Sequence, residues 1–530
     1  MTTRHSALLL VALLLLSRPA GAAELKLPGT DRTMRVGVSQ TLIGEYHSDI
    51  NVFGGDGSQG HYDLKNRTGI VLMHGTTSLN LRFDAHLFTG VGQDLPSDIS
   101  YSSQYSLEKI SLSSTQRSFE ITAGDFGVRV GRGLALDLTR VDELVRDTTL
   151  RGTQVRLTTR FVDAQVFGGW VNPLATDDIT EASVRIPDDV IGGGRVEVRP
   201  VQAVALGLHY TGGGLESRSL RTRDAIHVIG GSIELPSVAN KLSAYAEFDF
   251  MRKAQDIEVL SGHATYLNVT SNLGPVAILL EFKFYRSFQF INQFGDNEWD
   301  IQIYHRPPTL MWSKQEVINN HDIIGPRLRL DYRINRFSTT VWASYGHFYR
   351  SDAAPETGFF DSGIQVDDAF GGVQQVLRGG ALDLTGGYRL DRRKEDGASI
   401  TDYSQAFGEL ELSLAVWRGH SIEAEALYRK VTKSAEDFSE FHISLGYRPS
   451  KWFAGSVSYE YSNEIVDTDP NVDPTVRNHF GGVTGTVNFT PSSYARIFGG
   501  WTHGGVRCID GFCREVPPFM GVRIEAVLQL

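Results

Sequence analysis

Cys508 and Cys513 are the only cysteines in this 530-residue chain, and they stand five apart in Arg507-Cys508-Ile509-Asp510-Gly511-Phe512-Cys513-Arg514. In an oxidising compartment such a close pair is expected to form a disulfide across a tight turn, with Asp510-Gly511 at its tip. A redox pair would more typically be Cys-x-x-Cys, no Cys-x-x-Cys-His is present for haem attachment, and two cysteines are too few for a four-Cys zinc site. Gly55-Asp56-Gly57-Ser58-Gln59-Gly60 has the letters of a dinucleotide-binding turn, but no helix begins there, so it reads as a loop. Asp467, Asp469, Asn471 and Asp473 have the oxygen spacing of a calcium loop. Val472 in place of the required Gly and Asn478 in place of the required Glu favour a solvated acidic loop instead. A hydrolase would need a nucleophile or a carboxylate pair beside a histidine. His347 and His442 lie on expected strands, where a lone histidine is an ordinary lumen or interface residue. No catalytic, cofactor-binding or metal residues are assigned, and an enzyme is not expected.

The remaining chemistry is charge, and it is mixed in sign. Arg82 stands near Asp84, Arg156 near Arg160, Glu247 near Asp249, and Glu281 near Lys283. Arg327, Arg329, Asp331 and Arg333 form a ladder, followed by Arg389 and by Glu423, Glu425 and Arg429. Such groups could form cross-strand ion pairs that hydrate an interior, or, gathered at one height of a pore, an electrostatic filter.

What must position them is a strand, because these charges alternate with apolar residues at a period of two. Leu79, Leu81, Phe83, Ala85 and Leu87 enclose Asn80, Arg82, Asp84 and His86. Leu328, Leu330, Tyr332 and Ile334 alternate with the Arg327 to Arg333 ladder, and Ile422, Ala424, Ala426 and Tyr428 with Glu423, Glu425 and Arg429. Most windows reach ten residues or more, which suits a tilted membrane strand of about 9 to 11 residues better than a globular strand of about 5 to 6. Very short turns alternate with long polar loops. The turns are expected near Gly75-Thr76, Thr115-Gln116, Phe161-Val162, Pro200, Ser237 to Asn240, Gly274, Asn335-Arg336, Gly379-Gly380, Arg418-Gly419, Pro449-Ser450 and Pro491-Ser492. Eleven such turns predict an all-β, up-and-down antiparallel barrel of about 24 strands, within 22–26, with both termini on the periplasmic side. The alternation of Val522, Ile524, Ala526, Leu528 and Leu530 resembles the C-terminal strand through which outer-membrane barrels meet their assembly machinery, although Leu530 stands where those usually end in an aromatic residue. A soluble propeller would show a repeated blade motif, and none is present.

Composition agrees. The chain has 55 Gly, 28 Phe and 19 Tyr, which suit turns and aromatic-rich strands. With a mean hydropathy of −0.18, it lacks the repeated apolar runs of a helical membrane protein. Residues 1–22 read as a secretory signal peptide: basic at Arg4, apolar from Ala7 to Leu16, and small at Ala20-Gly21-Ala22. Losing Arg4 and Arg18 with that leader takes the net charge from −11 to about −13, which disfavours a nucleic-acid partner. Residues 23–530 are then the barrel, with 503–518 as the last external loop. The first strand is expected near Thr33, leaving no room ahead of it for a separate plug domain.

Two stretches exceed plain hairpin loops. Residues 124–152 read Gly124-Asp125-Phe126-Gly127-Val128-Arg129-Val130-Gly131-Arg132-Gly133-Leu134 and run on to Leu150-Arg151-Gly152. Residues 289–325 contain Trp299, Trp312 and Tyr304-His305-Arg306-Pro307-Pro308-Thr309. Large barrels are often filled by their loops, so at least one of these is expected to fold into the lumen. In these two motifs and the Cys508 to Arg514 turn, the chain resembles an uncharacterised outer-membrane β-barrel family of Gram-negative bacteria, a domain of unknown function. That resemblance spans most of the mature chain. It implies a barrel in the outer membrane, surrounded by its lipid, and no known activity or cofactor.

Two functions fit these expectations. One is a porin-like or gated channel for small polar solutes, supported by the charged inner face. The other is a plugged, non-conducting barrel that holds a surface or periplasmic protein partner.

Overall fold

The computed structural model describes residues 23–26, 33–47, 61–89, 104–141, 146–174, 188–216, 223–255, 258–293, 301–308, 322–350, 363–395, 398–433, 436–464, 478–509, 512–516 and 519–529. The expected leader, the Gly55 to Gly60 loop, the Asp467 to Asp473 loop, Trp299 and Trp312 lie outside them.

Twenty-four antiparallel strands, each hydrogen-bonded to its sequence neighbours, form one sheet that closes on itself. Closure is made by the last strand, Phe519–Gln529, lying along the first, Thr33–His47, from Gly521 opposite His47 to Gln529 opposite Ser39. The short strand Ala23–Lys26 pairs with Thr33 to Val36, continuing the seam beyond the point where the last strand ends. A closed barrel leaves no ladder edge, which is the condition for β-structure to cross hydrocarbon. Among the described residues no helix is long and apolar enough to cross a membrane.

All eleven expected turns are present, several displaced by one to three residues. The strands Gln104–Gln116 and Phe119–Phe126 turn at 117–118 rather than at Thr115-Gln116, and Val190–Val201 and Val204–Glu216 turn at 202–203 rather than at Pro200. At the opposite end the expectation of uniformly long loops is corrected. Only two residues separate Leu242–Gln255 from Glu258–Leu273, Gly380–Glu395 from Ala398–Trp417, and His420–Lys433 from Glu436–Ser450. The strands of these hairpins run to 14–20 residues, so the chain spends its length on ladder rather than loop.

The alternation separates two faces. Leu208, Val166 and Ile229 belong to the outward set and are 73%, 66% and 60% exposed. Aromatic residues mark both rims of that apolar band. Phe161, Phe337, Trp417, Trp452 and Phe489 are exposed in or beside the short turns, while Tyr62, Tyr105, Trp170 and Trp501 are exposed near the other strand ends. An apolar belt between aromatic girdles is the outer surface of a transmembrane barrel, and it places this protein in the outer membrane.

Candidate functional site

The residues between the strands Phe119–Phe126 and Leu150–Thr158 leave the wall at an anchored point. These strands pair so that Gly124 faces Gly152, Asp125 faces Arg151 and Phe126 faces Leu150; the two halves of the first motif are cross-strand neighbours. Arg151 donates to Asp125 Oδ2 at 3.0 Å and to the Glu108 carbonyl at 3.1 Å. Asp125 also accepts from Asn172 Nδ2 at 2.7 Å and the Ile110 backbone N–H at 2.6 Å. Gly124 has φ +104°, and a Cβ there would lie 2.1 Å from the Ile110 carbonyl oxygen, so this close approach needs glycine.

Beyond the anchor, Val128–Val130 and Leu136–Leu138 form a small hairpin of their own. Val130, Leu134, Ala135, Leu136 and Leu138 are completely buried. They pack in one cluster with Ile191, Ile226, Val228, Tyr266, Tyr285 and Phe348, which lie on wall strands and point away from the lipid-facing set. The second segment joins the same cluster through Phe290 and Tyr304, together with Phe288 just ahead of it. Its strands Ile291–Gln293 and Ile301–Ile303 pair with each other, and its residues then dock onto the first segment. Asp137 N–H donates to the Tyr304 carbonyl at 2.8 Å, and Arg306 N–H donates to the Gly133 carbonyl at 2.7 Å. Arg306 Nε donates to Asp137 Oδ2 at 2.9 Å, an oxygen that also accepts from Arg129 at 3.0 Å. The second motif therefore reads the first. Pro307 and Pro308 follow, half-buried.

Asp189 ties the second segment to the wall. Fully buried just before the strand Val190–Val201, it accepts from Asn292 Nδ2 at 2.9 Å, from the Glu216 N–H at 2.6 Å and from the Tyr304 hydroxyl. Burial holds its carboxyl above the ordinary carboxylate value, partly offset by those three donors.

The charged residues singled out from sequence are mostly paired locally. Arg82 Nε donates to Asp84 at 2.7 Å, Arg156 to Asp163 at 2.7 Å, and Arg329 to Asp331 at 2.8 Å, with the Arg329 guanidinium 4.4 Å from the centre of the Trp342 ring. Arg389 donates to Asp391 at 2.7 Å and Arg429 to Glu440 at 2.7 Å; Glu423 lies 3.6 Å from Arg448, and Glu425 faces Glu411 in register. Arg327 is buried and leaves the ladder: it donates to Asp368 at 2.6 Å and Ser344 at 3.2 Å, while Arg333 is exposed near a short turn. Glu281 accepts from the Tyr266 hydroxyl at 3.2 Å and lies 4.0 Å from Lys283. Glu247 and Asp249 are buried together beside His209. One residue is misplaced by the sequence reading. Arg160 sits in the turn after the strand that ends at Thr158, its guanidinium over Phe161, so it is neither on the inner face nor beside Arg156.

His347 bonds Asp367 at 2.7 Å, and Asp367 also accepts from Tyr345, Gln365 and Arg392. These hydrogen bonds pair the histidine with a carboxylate but include no Ser or Cys. His442 lies half-buried on the strand Glu436–Ser450. In the last loop, the hairpin Gly505–Ile509 with Phe512–Val516 sets Cys508 directly opposite Cys513; their side chains lie outside the described residues.

Sequence reasoning named Tyr304 within the second motif without giving it a role, and missed Asp137, Asp189 and His209. Each is a single polar residue without a spacing pattern, and its partner lies 40 residues away or more in Asp189–Tyr304, Asp137–Arg306 and His209–Asp249.

No family model and no curated protein matches this chain. Among solved structures, it is similar to the translocation pore of the P pilus usher PapC, with 9% identity, TM-score 0.44, and coverage of 93% of this chain and 99% of that one. The siderophore receptor PirA from Pseudomonas aeruginosa has 10% identity and a TM-score of 0.46, covering 95% of this chain and 81% of its own. The copper transporter OprC has 12% identity and a TM-score of 0.45, covering 97% and 81%. Identities and scores this low transfer neither ligand nor activity.

Proposed function

We propose that the protein is an outer-membrane channel for small polar solutes, narrowed and gated by the two segments within 124–152 and 289–325. The observation that carries this reading is that, among the described residues, the apolar cluster covering the segments draws on one part of the wall only. From the strand Val162–Val171 to Ile364–Leu377, the wall supplies apolar residues to the cluster that covers the segments. The remaining sector carries charges in paired sets: Arg82 with Asp84, Lys65 with Asp63, Arg389 with Asp391, and Arg429 with Glu440. A polar path would run between the segments and that sector. A barrel wider than the 16 to 18 strands of ordinary porins has room for both. Paired charges of both signs favour hydration over strong ion selectivity, because each field is cancelled close to its source.

A second reading, a closed barrel that holds a protein partner, is favoured by the complete burial of Val130, Leu134 and Leu136. Single-channel conductance of the purified, folded protein in a planar bilayer separates the two. The channel reading expects steady current, increased by deletion within residues 289–325. Silence that is relieved only by the deletion would favour the closed barrel, and silence of both proteins would exclude conduction.

A further inference from the structure

We propose that His209, Glu247 and Asp249 form a binding site for a divalent transition-metal ion of the zinc class, built into the barrel wall where the first inward segment docks. His209 is on the strand Val204–Glu216 and Asp249 on Leu242–Gln255; the strand Arg223–Val238 runs between them. The register aligns His209, Gly230 and Asp249 in one row across the three strands. Because Gly230 has no side chain, His209 Nε2 reaches over it to Asp249 Oδ1, 2.5 Å away; a Cβ on Gly230 would lie 1.7 Å from that oxygen. Glu247, two residues from Asp249 on the same face, brings Oε1 to 4.0 Å from His209 Nε2. One ligand atom from each residue lies within 4.8 Å of the others.

A second observation points to a ligand. Glu247 and Asp249 are 2% and 0% exposed, yet Glu247 Oε1 and Asp249 Oδ2 accept no hydrogen bond among the described residues. Their sister oxygens are satisfied: Glu247 Oε2 accepts from the Tyr245 hydroxyl at 2.5 Å and the Arg132 N–H at 3.1 Å, and Asp249 Oδ1 meets His209. Two buried carboxylates share one histidine, 2.5 Å from Asp249 Oδ1 and 4.0 Å from Glu247 Oε1; an imidazolium there answers only one of the two charges, and the pair stays costly unless a further cation answers the other. The nearby arginines point elsewhere. Arg132 lies over the Tyr245 ring and 3.5 Å from Glu234, and Arg195, next to His209 in the row, turns to Asp163 at 3.6 Å.

The donor set selects the ion. One imidazole nitrogen and two carboxylate oxygens are zinc-type ligands, whereas calcium and magnesium take oxygens. Two carboxylates and a neutral imidazole also balance a charge of two. The outer hydrogen bonds are of the kind that orient metal ligands, and one comes from Arg132 in the inward segment. Metal on Glu247 would thereby fasten the segment to the wall. The site itself does not depend on whether the barrel conducts.

The test uses the full mature barrel, folded in detergent, stripped with chelator and titrated with Co(II) and then Zn(II). One Co(II) per barrel is expected, with the visible absorption of a four-coordinate nitrogen–oxygen site, displaced by one Zn(II). Asp249→Asn, Glu247→Gln and His209→Gln are each expected to weaken binding by more than about 100-fold, the upper end of the cost of losing even a second-shell partner. Folding of each variant is checked by heat-dependent migration. Undiminished binding in the folded variants would overturn the proposal and point to surface carboxylates such as Glu409, Glu411 and Glu425. If no variant folds, the wild-type spectrum decides. A spectrum of aqueous Co(II) at one equivalent would leave a proton shared by Glu247 and Asp249 in place of the metal and sink the idea.

Discussion

Arg306 and Asp137 lie 169 residues apart in sequence, and their side chains meet at 2.9 Å where the two inward segments touch. Asp137 is 3% exposed and receives Arg129 as well, so it is the shared acid of the junction. Asp137→Ala removes the acid that both arginines bond, whereas Arg306→Ala leaves Asp137 paired with Arg129. The docking loss is expected to lie between the ~1 kcal/mol of an exposed pair and the ~3–5 kcal/mol of a buried one, larger for Asp137→Ala. Single-channel recording should show higher or noisier conductance in that order, with the barrel's heat-dependent migration unchanged. Identical currents in both variants and the wild type would separate the junction from gating.

Gly133 has φ +89°, and a Cβ there would lie 2.7 Å from the Arg306 carbonyl oxygen. Gly133→Val adds a left-handed penalty of about 1–2 kcal/mol to that clash, so the hairpin is expected to undock. Limited trypsin digestion reads this directly. Cleavage after Arg129 or Arg132 should be slow in the wild type and at least about tenfold faster in the variant, as ~1.4 kcal/mol of opening implies.

Glu464, just beyond the strand Phe453–Ser462, has its carboxyl pushed up to about 7 by burial and by Glu440. The folded protein thus holds a proton that the unfolded chain releases near pH 4.5. Stability should fall as pH rises between about 4.5 and 7, and no longer change from this group above that. Glu464→Gln should flatten that part of the pH profile of the denaturant midpoint. An unchanged slope would assign it to other groups.

Cys508 and Cys513 face each other in an antiparallel ladder, and directly opposed residues have Cα separations of about 4.5 to 5.5 Å, within disulfide reach. Protein isolated from an oxidising compartment should resist alkylation until reduced. Reduction should leave barrel migration unchanged, because the pair closes only a local hairpin.

The barrel itself was legible in the chain. Alternation of Leu79 to Leu87 about Arg82 and Asp84, and turn residues such as Gly75 and Gly274, are local properties, so strand existence, the eleven turns and the count of twenty-four followed from them. Turn positions slipped because a hairpin's register is settled by its whole ladder: the strand ending at Thr158 left Arg160 in a turn.

Partnerships across the lumen had no such local mark. Sequence supplied Arg306 and the Gly131-Arg132-Gly133 run as separate motifs, and only the closed tertiary structure made them neighbours. Likewise His209 and Asp249 are unremarkable alternating residues until strand pairing places Gly230 between them. Periodicity says which face of a strand a side chain takes. Register and loop docking, which depend on the summed contacts of distant segments, decide which side chain it meets there.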